Sequence, residues 1–271
     1  MMNIEELKNT CMEMKLKALD MALSTGRYGA HIGGGFSAME IFAVLYDIAN
    51  ISDMHDAHRD RIILSKGHAV LALYTALWKK GLVSDEDLRS FDKNGTRFHG
   101  HAHRNLDKGV EFSGGSLGLG VSYAAGVALA CKKKNLKNRV YVILGDGECD
   151  EGIVWESVMS MAAYNLDNVT LIVDRNGLQL DGPTKDVLDQ YRLEEKFKAF
   201  NYDVAVVNGH NIEELWLAFS KRDGRRVVIA DTVKAHGISF LEQRKESHQC
   251  AITEAQYEQA VKEIRNGCNE I

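Results

Sequence analysis

The stretch Val140-Tyr-Val-Ile-Leu-Gly-Asp-Gly-Glu148 decides the fold, because a continuous apolar run stops there at an acid flanked by glycines. The pattern returns at Val169-Thr-Leu-Ile-Val173, which stops just before Asp174-Arg-Asn176. A helical pattern over 152–164 joins the two runs. Continuous apolar strands that alternate with helices are typical of a parallel sheet covered on both faces. We therefore predict an α/β fold in which both strand ends lie at one edge of the sheet.

The same alternation extends along the rest of the chain. Further strands are predicted at 61–64, 203–207 and 227–233. Further helices are predicted at 3–23, 37–46, 69–80, 84–90, 119–133, 188–200, 211–222 and 253–266. Glu40, three residues after Ser37, predicts a capping box for the second of these helices. The segment 92–118 is polar, rich in Gly and His, and long enough to favour a functional loop. No repeat or linker divides the chain, so we expect a single domain over 1–271.

The composition argues against several classes of protein. The chain is 45% hydrophobic and its formal net charge is -5, so it has no electrostatic footprint for nucleic acid. No apolar run approaches the roughly 20 residues that span a bilayer, and the amino terminus has no apolar signal core. Its cysteines are odd in number and form no CxxC pair, which argues against disulfides and zinc. They lie at positions 11, 131, 149, 250 and 268. We expect a cytoplasmic protein without nucleic-acid or membrane partners.

Asp146 and Asn176 follow consecutive predicted strands, so both should lie at the same edge of the sheet. Carboxylate and amide oxygens suit a hard divalent cation, and phosphate oxygens and water would complete its octahedron. Gly145 and Gly147 let the backbone come close to an anion. Taken singly, the acid is equally typical of a helix N-cap and the amide of a turn. Together they favour a site where Mg²⁺, Ca²⁺ or Mn²⁺ grips a diphosphate.

The segments GDGECDEGIVWES (145–157) and VDRNGLQLDG (173–182) resemble the cofactor motif of the transketolase family. The resemblance implies thiamin diphosphate as cofactor, with the backbone carbonyl of Leu178 as a third metal ligand beside Asp146 and Asn176. In the same loop it assigns to the cofactor Gly145, Gly147, Glu148 and Glu151. By the resemblance Glu151 and Glu156 match acids at a subunit interface that link two cofactor sites. The alternative for this pair is a solvated helix face.

Three histidines are implied by further segments of the resemblance. RDRIILSKGHAVLALY (59–74) resembles the family's turn that presents a His to the diphosphate, which assigns His68 to the cofactor. GAHIGGGFS (29–37) resembles the loop whose His faces the reacting hydroxyl of the substrate, which gives His31 a catalytic role. His248, in KESHQ, matches a His that reaches both diphosphate and substrate. Without the resemblance, a His after a strand and a glycine-rich turn are more often structural.

The loop from 99 to 120 carries the remaining matches and most of the departures. His101 matches a catalytic His, and the run VEFSGGSLGLG resembles one whose Gly and Leu contact the pyrimidine, here Gly115 and Leu117. Histidines at 99, 101 and 103 leave a metal site as a rival, although no carboxylate or Cys cluster accompanies them. The positions that depart from the family's pattern are Ala102, His103, Gly114, Leu119, Ser247 and Gln249.

Ketol transfer also needs groups that this sequence does not offer. In the family, the Glu that activates the pyrimidine and the aromatic residues around it come from the following domain, and no credible counterpart occurs here. The resemblance therefore implies a split transketolase in which a separate C-terminal subunit carries the pyrimidine-binding domain, in an α2β2 assembly. Its substrates would be a ketose phosphate and an aldose acceptor. The departures favour a sugar phosphate other than the standard pentose pair.

Three alternatives compete with this interpretation. The α subunit of an oxo-acid dehydrogenase shares the metal motif, as does a deoxyxylulose-phosphate synthase, but the Ser65–His68 turn and the GVEFSGGSLG run favour transketolase. A non-catalytic regulatory paralogue is a second alternative, against which the presence of Asp146, Asn176, His68 and His101 argues. A nicotinamide-binding module is a third, but no G-x-G-x-x-G run follows a strand.

Overall fold

The computed structural model describes residues 3–51 and 53–267, so Cys268 lies outside the described part. Within that part, five parallel strands form one sheet in the order β1-β2-β3-β5-β4. The strands are β1 Arg61–Leu64, β2 Val140–Gly145, β3 Val169–Arg175, β4 Asp203–Asn208 and β5 Arg226–Asp231. The predicted parallel α/β fold is therefore confirmed.

Helices precede, join and follow the strands. Before β2 they are α1 Ile4–Ser24, α2 Ile32–Ser37, α3 Met39–Ile48, α4 Val70–Lys79, α5 Asp85–Arg89 and α6 Leu119–Lys133. After β2 they are α7 Gly152–Ala163, α8 Thr184–Val187, α9 Leu193–Ala199, α10 Ile212–Ser220 and α11 Glu254–Gly267. Within the described residues, none of these helices is both long and apolar enough to traverse a lipid bilayer.

Both faces of β1, β2, β3 and β5 are covered, which explains why these strands are mostly apolar, whereas β4 at the edge of the sheet is partly exposed. Side chains alternate along a strand, so Tyr141 and Ile143 of β2 join one hydrophobic cluster, with residues of α1, α3, α4 and α10. Val142 and Leu144 join the second cluster, with residues of α6, α7 and α9. Burying both faces of these strands contributes about 25 cal/mol per Å² of apolar surface.

The capping box predicted at Ser37 and Glu40 is wrong. Ser37 is the last residue of α2, and its hydroxyl donates to Asp174 Oδ2 over 2.5 Å. Glu40 lies inside α3, where its Oε1 accepts a hydrogen bond from Lys15 Nζ over 2.6 Å. Both side chains are buried, so partners on distant elements satisfy them in place of the local cap.

The helix predicted over 188–200 is interrupted, because α9 begins only at Leu193. The side chain of Gln190 is buried, and its amide donates to the backbone carbonyl of Asp146. Tyr191 then has a φ of +49°, a left-handed conformation that no α-helix contains. A tertiary hydrogen bond thus overrides the helical pattern of the sequence at this point.

The ends of the strands place the candidate residues together. Gly145 of β2 pairs with Asp174 of β3, and Arg175 pairs with Asp231 of β5. The strands that precede the candidate turns therefore end level with one another. We call this side of the sheet the carboxyl edge. The turns that follow β1, β2, β3 and β5 all begin there, which is where open α/β sheets bind ligands.

Candidate active site

The two oxygen donors predicted from the strand ends lie side by side at the carboxyl edge. Asp146 Oδ1 accepts from the Gly147 amide over 2.9 Å, and its Oδ2 accepts from the Gly177 amide over 2.8 Å. Gly177, the residue after Asn176, has a φ of +75°, which a side chain would strain. Burial, followed by the negative charge of Asp174, raises the pKa of the Asp146 carboxyl. A cation beside Asp146 would offset that cost.

The third predicted oxygen is already in contact with a cationic group. Asn176 Oδ1 accepts from the Leu178 amide over 3.1 Å, and the carbonyl of Leu178 accepts from Lys234 Nζ, also over 3.1 Å. The donor set is therefore a carboxylate, an amide and a carbonyl, all hard oxygens, and one of them faces an ammonium in this chain. These residues fit a Mg²⁺-type cation by their chemistry.

The four histidines predicted for the site form one cluster. The ring centroid of His31 lies 4.9 Å from that of His101, 5.5 Å from that of His248 and 6.0 Å from that of His68. His68 and His248 are 5.1 Å apart. The sequence places these residues in four separate segments, and the fold brings the other three imidazoles around that of His31.

All four histidines favour their neutral form. Burial lowers the pKa of His31 to about 4, and His101 and His248 add to the shift. Burial, with Lys234 and Lys66 nearby, lowers the pKa of His248 to about 4. Burial also lowers the pKa of His101, and it holds that of His68 well below the usual value. Near neutral pH the cluster is therefore a set of uncharged imidazoles, each able to donate one hydrogen bond and accept another.

The glycines of α2 allow this close packing. The segment GAHIGGGFS, for which a glycine-rich turn was the alternative, contains a short helix with His31 at its N-cap. A Cβ on Gly34 would lie 2.7 Å from Cδ2 of His68, and one on Gly33 would lie 2.7 Å from the carbonyl of Ser247. Both distances are shorter than van der Waals contact, so only glycine lets this helix reach His68 and the segment before His248.

The Gly- and His-rich loop reaches the same cluster. The amide of Gly114 donates to the carbonyl of Ala102 over 2.8 Å, which folds the two halves of the loop together next to His101. Gly115 has a φ of +146° and is exposed, whereas Leu117 is half-buried. His103 is exposed and its ring lies 4.3 Å from that of His99, rather than inside the cluster.

The acids of the loop after β2 lie in different surroundings. Glu148 is buried, and its carboxylate accepts from Ser65 Oγ over 2.5 Å, from the Gly118 amide over 2.7 Å and from the Gly145 amide over 3.1 Å. These contacts tie the turns after β1 and β2 to the start of α6. Glu151, in contrast, is exposed at the N-cap of α7, and Glu156 is exposed on that helix.

Two buried lysines at the site were not predicted from the sequence. Lys66 is 1% exposed and forms an ion pair with the buried carboxylate of Asp174. Lys234 is 2% exposed, and its Nζ lies 3.5 Å from Nδ1 of His248. Burial and the neighbouring Lys66 lower the pKa of Lys234 to about 8. No pattern in the sequence indicates this burial. The structure identifies both lysines, because lysine is seldom buried without a function or a partner.

The segment 178–192 packs against the residues of the predicted metal site. On its inner side, Thr184 donates to Asp146 Oδ2 over 3.2 Å and Gln179 donates to Asp150 Oδ2 over 2.6 Å. On its outer side it carries several exposed apolar side chains. They are Leu180, Val187, Leu188 and Tyr191, of which the last is 84% exposed.

A second polar cluster consists of residue types that can bind a metal ion, but their hydrogen bonds argue against a metal site. Ligand atoms of Glu40, His210 and His236 lie within 4.8 Å of one another. However, His210 Nε2 accepts from the Val233 amide over 2.7 Å, so its Nδ1 carries the proton and faces Glu40 Oε2 over 3.1 Å. The rings of His210 and His236 are stacked with their centroids 3.7 Å apart. The cluster holds the turn after β5 in place.

The described architecture is that of an α/β protein that binds ligands at the carboxyl edge of its sheet. Residues 8–269 match the family described as transketolase, thiamine diphosphate binding domain. The chain belongs to the transketolase family, as its motifs predicted.

Relatives of two lengths are similar to this chain. It is 36% identical over 247 residues to the 6-deoxy-6-sulfo-D-fructose transketolase subunit of Clostridium sp. (strain MSTE9), covering 88% of this chain and 90% of that protein. It is 35% identical over 275 residues to one subunit of the apulose-4-phosphate transketolase of Actinobacillus succinogenes, covering 98% and 100%. The crystal structure of Campylobacter jejuni transketolase superposes with a TM-score of 0.88 at 28% identity, covering 97% of this chain but 43% of that one.

Proposed function

We propose that this chain is the thiamin-diphosphate-binding subunit of a two-subunit transketolase. The observation that carries the proposal is the description of two relatives. The proteins of which this chain covers 90% and 100% are both named as transketolase subunits. The cluster of histidines, lysines and oxygen donors at the carboxyl edge supports the same function.

In this proposal the carboxyl edge holds the diphosphate end of the cofactor. Asp146, Asn176 and the carbonyl of Leu178 hold Mg²⁺, whose positive charge balances the diphosphate. His68 donates to phosphate oxygens, and the ammonium groups of Lys66 and Lys234 offset their charge. The further residues that we assign to the cofactor are Gly115, Leu117, Gly145, Gly147, Glu148, Glu151 and His248.

Thiamin diphosphate supplies the electron sink for cleavage and formation of a carbon–carbon bond beside a carbonyl. The chain's own contribution is to bind, orient and handle protons. His31, His101 and His248 are neutral near pH 7, so each can accept a proton from a substrate hydroxyl and return it. Their mutual distances of 4.9 and 5.5 Å allow one substrate to contact more than one of them.

The proposed substrate class is an anionic ketose as two-carbon donor and an aldose as acceptor. Two relatives are named for 6-deoxy-6-sulfo-D-fructose and for apulose-4-phosphate, so their names point to sugars other than the common pentose phosphates. Six residues depart from the family's pattern and support a modified sugar for this chain as well. Among them, His103 is exposed next to His99.

The proposed partner is a separate C-terminal subunit that carries the pyrimidine-binding domain, in a cytoplasmic α2β2 enzyme. We propose 1–271 as one diphosphate-binding domain, since the described residues form one sheet and the assigned residues lie on it or on the segments around its carboxyl edge. The exposed apolar side chains of 178–192 lie next to the cofactor residues and suit a surface that a partner covers. Exposed Glu151 and Glu156 on α7 suit the predicted contact between two cofactor sites.

Reconstitution tests this function. We would purify this chain and the candidate C-terminal subunit separately, and assay each of them and their mixture with thiamin diphosphate and Mg²⁺ present. Ketol transfer is then measured over a set of phosphorylated and sulfonated ketose donors. The expected result is transfer by the mixture and none by the isolated chains. Robust turnover by this chain without its partner would disprove the two-subunit proposal, and a clear preference for xylulose 5-phosphate would disprove the modified-sugar proposal.

A further inference from the structure

Asp174 is a buried carboxylate at the centre of the carboxyl edge that the proposed chemistry does not use. It lies at the end of β3, 0% exposed, and accepts three side-chain hydrogen bonds. The donors are Lys66 Nζ, Ser37 Oγ and Thr232 Oγ1. Each donor comes from a different segment: the turn after β1, the end of α2 and the turn after β5.

We propose that Asp174 is a positioning residue that sets where the Lys66 ammonium meets the diphosphate. This inference rests on the proposed function. A lysine side chain has four rotatable bonds, and its compact charge has no preferred direction of hydrogen bonding. The side chain by itself therefore does not fix the position of its Nζ. The ion pair with Asp174 fixes it from within the protein.

The position that Asp174 gives to Lys66 is central to the site. Lys66 Nζ lies 3.8 Å from where a Cβ on Gly34 would stand, on the helix that carries His31 at its N-cap. The charge of Lys66 contributes to the lowered pKa values of His68, His248 and Lys234. A shifted ammonium would therefore disturb the cofactor residues and the histidines together.

The two neutral donors extend this role to both sides of the site. Ser37 closes α2, whose first residues follow His31, and its hydroxyl bond to Asp174 measures 2.5 Å. Thr232 lies two residues before Lys234, so its bond to Asp174 fixes the start of the turn that carries the second lysine. One carboxylate thus orients both lysines, Lys66 directly and Lys234 through the backbone.

The test is a double-mutant cycle on the complex of this chain with its partner subunit. Binding of thiamin diphosphate with Mg²⁺ is measured by calorimetry for the wild type, Asp174→Asn, Lys66→Met and the double variant. Asp174→Asn keeps the size of the side chain but removes its charge. We expect it to raise the Kd of the cofactor by about ten-fold or more, the usual weight of a charged hydrogen bond. In the Lys66→Met background the same change should raise Kd by a clearly smaller factor, because the direct bond to Lys66 is gone and only the bonds from Ser37 and Thr232 remain.

Asp60→Asn is the matched control. It breaks the ion pair of another buried carboxylate, that of Asp60 with Arg222 at 2.6 Å, next to the start of β1 and away from the carboxyl edge. We expect this control to lower the melting temperature about as much as Asp174→Asn does and to leave the cofactor Kd unchanged. If Asp174→Asn does not fold, Thr232→Val removes one neutral bond to the same carboxylate and should still weaken cofactor binding.

The outcomes separate the two proposals. Absence of cofactor binding by the wild-type complex would overturn the proposed function and this inference with it. If the wild type binds but Asp174→Asn, or Thr232→Val in its place, matches it, the inference alone is overturned. A loss that persists unchanged in the Lys66→Met background also overturns it, because Asp174 would then act by another route.

Discussion

At the scale of single residues, this chain buries several charged groups at one point and satisfies them with one another. Asp146, Asp174 and Glu148 are buried carboxylates, and Lys66 and Lys234 are buried ammonium groups. Burying an isolated charge costs several kcal/mol, and partners of opposite charge and hydrogen bonds offset that cost. Such arrangements occur mainly at functional sites.

Replacement of Asp146 by Ala should abolish the Mg²⁺-dependent binding of thiamin diphosphate. The change removes the one carboxylate among the three proposed metal ligands and leaves the Gly177 amide without its acceptor. Calorimetry of the chain–partner complex, with and without Mg²⁺, measures the effect. Asp181→Ala, an exposed acid in the neighbouring segment, is the control and should leave the affinity unchanged. An unaltered affinity in Asp146→Ala would reject the metal assignment.

The histidine cluster should make the fold sensitive to acid. The pKa of His31 is about 4 in the folded chain against an ordinary 6.5, so between these values the unfolded chain binds more protons. Stability is therefore unaffected above pH 6.5 and falls as pH drops from 6.5 towards 4, by up to about 1.4 kcal/mol per pH unit for one histidine.

Urea unfolding at a series of pH values checks this. Burial raises the pKa of the Asp146 carboxyl, and this shift changes stability with pH in the opposite direction. The test therefore compares the pH dependence of stability between variants. His31→Asn should flatten the dependence below pH 6.5, and the same change at exposed His55 should not. If the stability of His31→Asn and that of the wild type change equally with pH, the proposal that His31 is neutral in the folded chain is contradicted.

Residues at the strand ends were predictable, whereas the buried lysines were not. Asp146 and Asn176 follow apolar runs, so their place at the sheet edge follows from the pattern alone. The pair of Lys66 and Asp174 joins residues 108 positions apart, and no local pattern reports that contact. The single-residue roles themselves remain predictions.

At the scale of elements, α2 is the part of the site with the least tolerance. It has six residues, three of them consecutive glycines, and it passes between His68 and the segment before His248. Glycine is unfavourable in a helix by about 1 kcal/mol relative to alanine. The glycines of α2 allow its backbone to approach the histidine cluster closely, which a side chain would prevent.

Gly34→Ala should therefore damage the site although alanine favours the helix. The new methyl group would stand 2.7 Å from Cδ2 of His68, so the ring or the helix must move. We expect weaker cofactor binding in calorimetry and a lower melting temperature. Gly126→Ala in α6 meets no atom within 4 Å and should stabilise the chain by up to about 1 kcal/mol. Equal cofactor affinities and melting temperatures for the two variants would show that α2 can accommodate a side chain at Gly34.

Most elements could be predicted from periodicity, and the exceptions have tertiary causes. The helix 119–133 was predicted with its observed bounds. The helix over 188–200 failed because buried Gln190 turns towards the carbonyl of Asp146. The start of α3 failed because Ser37 bonds to Asp174 instead of capping its own helix. In each case a buried hydrogen bond from another element outweighed the local preference.

At the scale of the whole molecule, the sheet separates packing from chemistry. Two hydrophobic clusters cover its faces, and the polar residues of the site gather at the carboxyl edge, on strand ends, turns and short helices. The β-α alternation predicted this arrangement, because parallel strands must end on the same side. The strand order could not be read from the sequence, since it depends on which crossovers pack against which face.

The contact between Lys234 and the Leu178 carbonyl bears on the order of events after synthesis. Small zinc domains stay unfolded until their ion arrives, because nothing else holds their ligands together. In this chain the ammonium of Lys234, the amides of Gly147 and Gly177 and the side chain of Gln190 already hold the oxygen-bearing turns. We therefore expect the chain to fold before it binds its cofactor, so that folded protein accumulates even when thiamin is scarce.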